Sequence, residues 1–80
     1  MEREKSTIDL RLFASLAVHM PPDANRFPIS AGTTVAQIVD GMRIPRSQAK
    51  LVFINGVRKE LEASLQGGER VAVFPPLGGG

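Results

Sequence analysis

The residues of this chain that could do chemistry are few. His19 is the only histidine and there is no cysteine, which excludes disulfides, thiolate nucleophiles and thiolate metal sites together. A single histidine without clustered acids reads as a surface residue, not as a base or a ligand. Ser15, Ser47 and Ser64 stand at no recognisable motif spacing from it, and no nucleophile-elbow pattern surrounds them. Gly67-Gly68-Glu69-Arg70 is too short for a phosphate loop and leads into a strand, not a helix. Catalysis by this chain alone is therefore not expected, and no metal site is assigned.

One stretch remains. Phe74-Pro75-Pro76 is followed by Leu77, Gly78, Gly79 and Gly80, where the sequence ends. A carboxylate on glycine has no side chain beside it, so a narrow channel in another protein can admit it. The extended reach from Pro76 to Gly80 is about 13–14 Å, enough for a domain to stay outside while its last atom enters. Ordering each glycine costs about 1–2 kcal/mol, which a partner must offset through contacts elsewhere. Pro75 and Pro76 stiffen the root of the segment. The plain alternative is a loose terminus with no role, and composition by itself favours that alternative.

Periodicity gives the elements that must position this end. In "STIDLRLF", Ile8, Leu10 and Leu12 share one face and Thr7, Asp9, Arg11 and Phe13 the other, the period of a half-buried strand. "MPPDAN" is a loop. In "RFPIS", Pro28 lacks a ladder donor between Phe27 and Ile29, so a strand there is an edge strand. Val35, Ile38, Val39 and Met42 fall on one helical face, Thr34 and Gln37 have capping-box spacing, and Pro45 stops the helix near Arg43. Asn55-Gly56 joins "LVFI" to "VRKE" as a type I′ hairpin. "LEASLQGGE" reads as a turn region in which Leu61 and Leu65 plug the core, and "RVAVF" is the last strand. One amphipathic helix needs one sheet face to cover it, which predicts a two-layer α+β domain. Residues 1–5 are expected to be a flexible arm, 6–76 the domain and 77–80 a flexible tail.

Parity on the strands isolates two rings. Phe13 lies opposite the face of Ile8, Leu10 and Leu12, and Phe74 lies opposite the face of Val71 and Val73. Two aromatics off the core form an apolar patch of the kind that marks partner sites. Their removal would then cost the fold little. The competing reading has both rings tucked under a loop where the strand ends twist.

Composition narrows the partners. Eighty residues allow one domain with a small core. The net charge of +2 comes from scattered basic residues interleaved with acids, so no nucleic-acid stripe is present and no nucleic-acid partner is expected. No apolar run reaches the roughly 18 residues of a membrane span, and "MEREKS" is followed by no apolar stretch of signal-peptide type. A cytoplasmic protein with no membrane partner is expected.

The stretches "RLFAS", "GTTVAQIV", "VFINGV" and "GGERVAVFPPLGGG" together resemble the β-grasp, ubiquitin-like sulfur carriers: the small subunit of molybdopterin synthase and the thiamin-pathway carrier. The likeness runs from about Ser6 to Gly80 and is most specific in the Phe-Pro-Pro-x-x-Gly-Gly ending. It implies a mixed sheet on one main helix, with the first and last strands parallel at the sheet centre. It also implies that a ubiquitin-activating-type enzyme adenylates the Gly80 carboxylate and that a sulfur donor converts it to a thiocarboxylate. An acceptor enzyme, the large subunit of molybdopterin synthase or a thiazole synthase, then takes the sulfur. ATP and its metal sit on the activating enzyme, with no cofactor bound by this chain. By position, Gly79 and Gly80 match the terminal pair, with Gly78 before them. Phe13 and Phe74 match aromatic positions of the partner surface, continued by Pro75, Pro76 and Leu77. A third, apolar position of that surface falls on or near Arg58, which makes the patch more polar than the family pattern. Length, the Phe-Pro-Pro ending and the long connection before Phe27 favour the molybdopterin type. A thiamin-type carrier, a protein modifier joined through Gly80 to lysines, and an interaction module with an inert tail are the alternatives.

Overall fold

The structure, a computed structural model, describes residues 5–76; the expectations placed on residues 1–4 and 77–80 lie outside that range. The strands are β1 (Lys5–Leu12), β2 (Phe27–Ser30), β3 (Thr33–Thr34), β4 (Leu51–Ile54), β5 (Val57–Lys59), β6 (Ser64–Leu65) and β7 (Arg70–Phe74), with one α-helix, α1 (Val35–Gly41). β1 begins at Lys5, one residue before the expected start of the domain at Ser6. Five strands form a sheet in the order β2-β1-β7-β4-β5. β1 and β7 run parallel and the other pairs in this sheet are antiparallel. The α+β arrangement with first and last strands paired in parallel, and with β7 in the middle, is thus as expected.

Each local device has its predicted cause. β2 pairs only with β1, and Pro28 lies opposite Thr7 on this edge strand, where a missing donor is tolerated. Thr34 Oγ1 accepts from the Gln37 N–H at 3.1 Å, and Gln37 Oε1 accepts from the Thr34 N–H at 2.9 Å. This is a complete capping box. The helix stops through a Schellman motif. The Ile44 N–H donates to the Val39 carbonyl and the Arg43 N–H to the Asp40 carbonyl, with Arg43 in the left-handed region at φ 62°. Asn55 and Gly56 take φ 54° and 82°, as a type I′ turn requires.

The core lies between one sheet face and α1. Ile8, Leu10 and Leu12 from β1 and Val71 and Val73 from β7 join Val35, Ile38 and Val39 of the helix in one buried cluster. Each such side chain contributes roughly 1.5–3 kcal/mol on burial. Two features were not anticipated. Residues 61–69 are more than a turn: β6 pairs with β3 as a second, two-stranded sheet, which seats Leu65 fully in the core while Leu61 is only partly buried. The connection from β1 to β2 coils into short 3-10 turns at Ala14–His19 and Ala24–Arg26, burying Leu16 and Ala24.

Candidate functional site: the open sheet face at the root of the C-terminal segment

The helix covers one face of the sheet, so the opposite parity of each strand is left open. Strand register arranges it in rows. Arg11 lies beside Ala72, Ala72 beside Phe53, and Phe53 beside Arg58, crossing β1, β7, β4 and β5. In the next row Leu51 lies beside Phe74. Phe13, one residue beyond β1, donates its N–H to the Val73 carbonyl at 3.1 Å and so stays in line with that row.

Three rings meet there. Phe13 and Phe74 stack with centroids 4.4 Å apart and planes 5° from parallel. Phe53 meets Phe74 edge-on at 5.9 Å and 86°. Both are favourable aromatic geometries, since the ring quadrupole prefers offset stacks and edge contacts. Phe13 is 38% exposed, while Phe53 and Phe74 are half-buried. Neither of the two readings of the pair is met in full: the rings lie off the core, yet they cover each other. Pro75 and Pro76 follow directly from Phe74 and are half-buried. Beside the rings is an open dish of about 310 Å³, lined by Phe53, Gly56, Arg70, Ala72 and Phe74.

The charges around the rings are unevenly paired. Arg11 holds Asp9 through two hydrogen bonds of 3.1 Å. Chiefly through that hydrogen bond, the Asp9 carboxyl is held below its ordinary range and the Arg11 guanidinium above its own. Arg70, opposite Asp9 in register, adds a further downward pull on Asp9. Among the described residues neither Arg58 nor Arg70 has a carboxylate within ion-pair distance of its side chain.

Of the positions singled out in the sequence, Phe13 and Phe74 come together, Pro75 and Pro76 follow Phe74 directly, and Arg58 shares the face of the rings one strand beyond Phe53. Leu77, Gly78, Gly79 and Gly80 lie outside the described residues. Phe53 joins them without a motif to mark it, although its parity against Val52 and Ile54 places it with the other two rings. The dish formed by Ala72 and Arg70 depends on register and left no signal of its own. His19 is on the rim of a separate groove of about 640 Å³ between β2 and α1, floored by Phe27, Ile29, Ile38 and Met42. Among the described residues no cluster of three histidine, aspartate or glutamate side chains could hold a metal, and no helix is long and apolar enough to cross a membrane.

Comparison with known proteins adds an outside measure. The sequence profile of a family described as Mut7-C ubiquitin matches residues 5–77. No curated protein matches the sequence. Among solved structures, a Haloferax volcanii protein studied in solution aligns with TM-score 0.69 at 19% identity, covering 95% of this chain and 88% of its own. Small archaeal modifier protein 1 of H. volcanii aligns with TM-score 0.63 at 20% identity, covering 90% of this chain and 99% of its own. A Pyrococcus furiosus protein designated a candidate molybdopterin converting factor, subunit 1, aligns with TM-score 0.58 at 16% identity, covering 90% of this chain and 99% of its own. At these identities the likeness is one of fold, the ubiquitin-like β-grasp.

Proposed function

The chain belongs to the Mut7-C ubiquitin family, and from that premise we propose that it is a sulfur carrier working through the carboxylate of Gly80. The observation that carries this reading is the stacked pair of Phe13 and Phe74 on the open sheet face, immediately before the Pro75-Pro76 root of a triple-glycine segment. A partner gripping the rings holds that segment at a defined reach, and the contact energy offsets the ordering of its glycines.

The chemistry follows from what a carboxylate lacks. It is a poor electrophile until an oxygen is turned into a leaving group. A carboxylate oxygen of Gly80 attacks the α-phosphorus of ATP on an adenylating partner, and pyrophosphate leaves. A hydrosulfide donor then adds to the acyl carbon, and AMP departs with the former carboxylate oxygen. The thiocarboxylate that remains is delivered to an acceptor enzyme. Similarity in fold to the candidate converting-factor subunit and the Phe-Pro-Pro ending favour a molybdopterin-type acceptor. On this reading the chain is a co-substrate with no bound cofactor, and the cytoplasm is its compartment.

Similarity in fold to small archaeal modifier protein 1 supports a second reading, in which a lysine amine takes the place of the sulfur donor. Intact mass of the protein isolated from its host separates the two. A gain equal to sulfur replacing oxygen at Gly80 is expected for the carrier, and lysine-linked conjugates for the modifier. A population carrying neither would refute both.

A further inference from the structure

We infer that the dish beside Phe74 docks an acidic, apolar segment of the partner protein, with Arg70 and Arg58 as its charge-reading residues. This rests on the reading of the open face as a partner surface and adds the chemistry of the partner. The dish has an apolar base, Ala72 between Phe53 and Phe74, and one cation in its lining, Arg70. Arg58 lies directly opposite Phe53 on the same face. At about 310 Å³, the dish lies at the lower end of the range of ligand-sized pockets, about 300–1,000 Å³.

Charge selects the occupant. Among the described strand positions of the open face, Arg11, Arg58 and Arg70 stand against one carboxylate, Asp9, and Arg11 already holds it. Elsewhere Asp40 is held by Arg46, and the Glu69 carboxylate accepts from the Gln66 and Gly67 N–H groups. The face therefore carries more cations than carboxylates beside an apolar depression: Arg70 reaches Asp9 only through its field, and Arg58 has no carboxylate within ion-pair distance among the described residues. A segment with one aliphatic or aromatic side chain flanked by aspartate or glutamate completes both. Arginine suits this role because its planar fork binds carboxylates bidentately and stacks on rings. Charges placed around an apolar anchor govern partner choice and encounter rate more than total affinity.

The test uses the adenylating enzyme of the same host and ATP–pyrophosphate exchange. Arg58→Glu and Arg70→Gln are each expected to raise KM for the carrier by about 10-fold or more, acting on KM and not on kcat, and to flatten its dependence on salt. Lys59→Glu makes the same charge change as Arg58→Glu on the neighbouring residue, whose side lies across from buried Val52; it should leave KM near wild type. Wild-type KM in both arginine variants, or an equal rise in Lys59→Glu, would overturn the inference while leaving the carrier reading intact. If wild-type protein supports no exchange, the carrier reading fails by itself. Titration with a synthetic peptide of alternating glutamate and leucine, followed by amide chemical shifts, then judges the dish. Shifts centred on Phe53, Arg70 and Ala72 that Arg58→Glu weakens would support it. Their absence would refute it.

Discussion

Phe74 carries more of the site than its neighbours because its ring touches two others. Phe13 stacks on it and Phe53 abuts it edge-on, and each such contact is worth about 0.5–1.5 kcal/mol beyond area burial. Phe13, 38% exposed, gives up less on truncation. Phe13→Ala is expected to cost about 1 kcal/mol and Phe74→Ala about 2 kcal/mol, below the 3–5 of a buried phenylalanine. The double variant should fall short of the sum by about 0.5–1.5 kcal/mol, the coupling of the stack. Urea melts of the three variants measure this, and strictly additive losses would show that the stack stabilises nothing. The exposure of Phe13 keeps the expected loss there small, and the second contact, with Phe53, raises it at Phe74. Its stacked partner, Phe13, lies one residue beyond β1 and far from it in sequence.

At the scale of elements, the turn before β7 is clamped by one carboxylate. Glu69 accepts from the Gln66 N–H at 2.8 Å and the Gly67 N–H at 2.7 Å. Gly68 donates to the Thr7 carbonyl, and Asp9 donates to the Glu69 carbonyl, so the same turn ties β7 to β1. Glycine is required at Gly67. Its φ is 122°, and a Cβ there would come 2.5 Å from the Ser6 Cβ, a contact that backbone movement alone could relieve. For the Glu69 carboxyl, burial raises the pKa, but the backbone N–H groups of Gln66, Gly67 and Glu69 outweigh it, and the net shift is downward. A carboxyl whose folded pKa is depressed stabilises the fold above its unfolded value. That contribution is lost as pH falls below the ordinary glutamate range and through the folded value. Glu69→Gln should therefore lower stability at neutral pH and narrow its gap to wild type in acid. Thermal melts from neutral to strongly acidic pH check this; a gap constant with pH would remove the charge of Glu69 from the account.

For the whole molecule, the decisive feature is where the C-terminal segment leaves the domain. It departs from β7, which has β1 on one side and β4 on the other and whose Val71 and Val73 are fully buried. The body of the fold thus sets the position of Pro75 and Pro76, which directly follow the central strand, and the open face beside them can serve as the grip. On the proposed reading, deleting Gly80 moves the carboxylate back by about 3.5 Å, whereas reacting groups tolerate an error of about 1 Å before rates drop by roughly 100-fold. The deletion is expected to abolish pyrophosphate exchange with the adenylating enzyme while leaving the melting curve unchanged. Adding one residue after Gly80 should fail equally, and replacing Gly78 should be milder. Wild-type exchange by the deletion variant would sink the assignment of Gly80 as the reactive residue.

What the sequence determined by itself were the features encoded locally. The alternation of Ile8, Leu10 and Leu12, the Thr34–Gln37 cap, the stop before Pro45 and the Asn55-Gly56 turn each depend on residues within a few positions of one another. Period and turn chemistry therefore sufficed to place β1, α1 and the β4–β5 hairpin, and parity sufficed to put Phe13 and Phe74 off the core. Pairing across the chain was another matter. That β6 would find β3, that Phe13 would lie flat on Phe74 sixty-odd residues later, and that Ala72, Phe53 and Arg58 would form one row beside Arg70 all follow from the register of strands far apart in sequence. Period two says which face a side chain takes and nothing about which neighbour it meets. Only the folded sheet, by choosing partners and register for β7, turned separate rings and arginines into a surface.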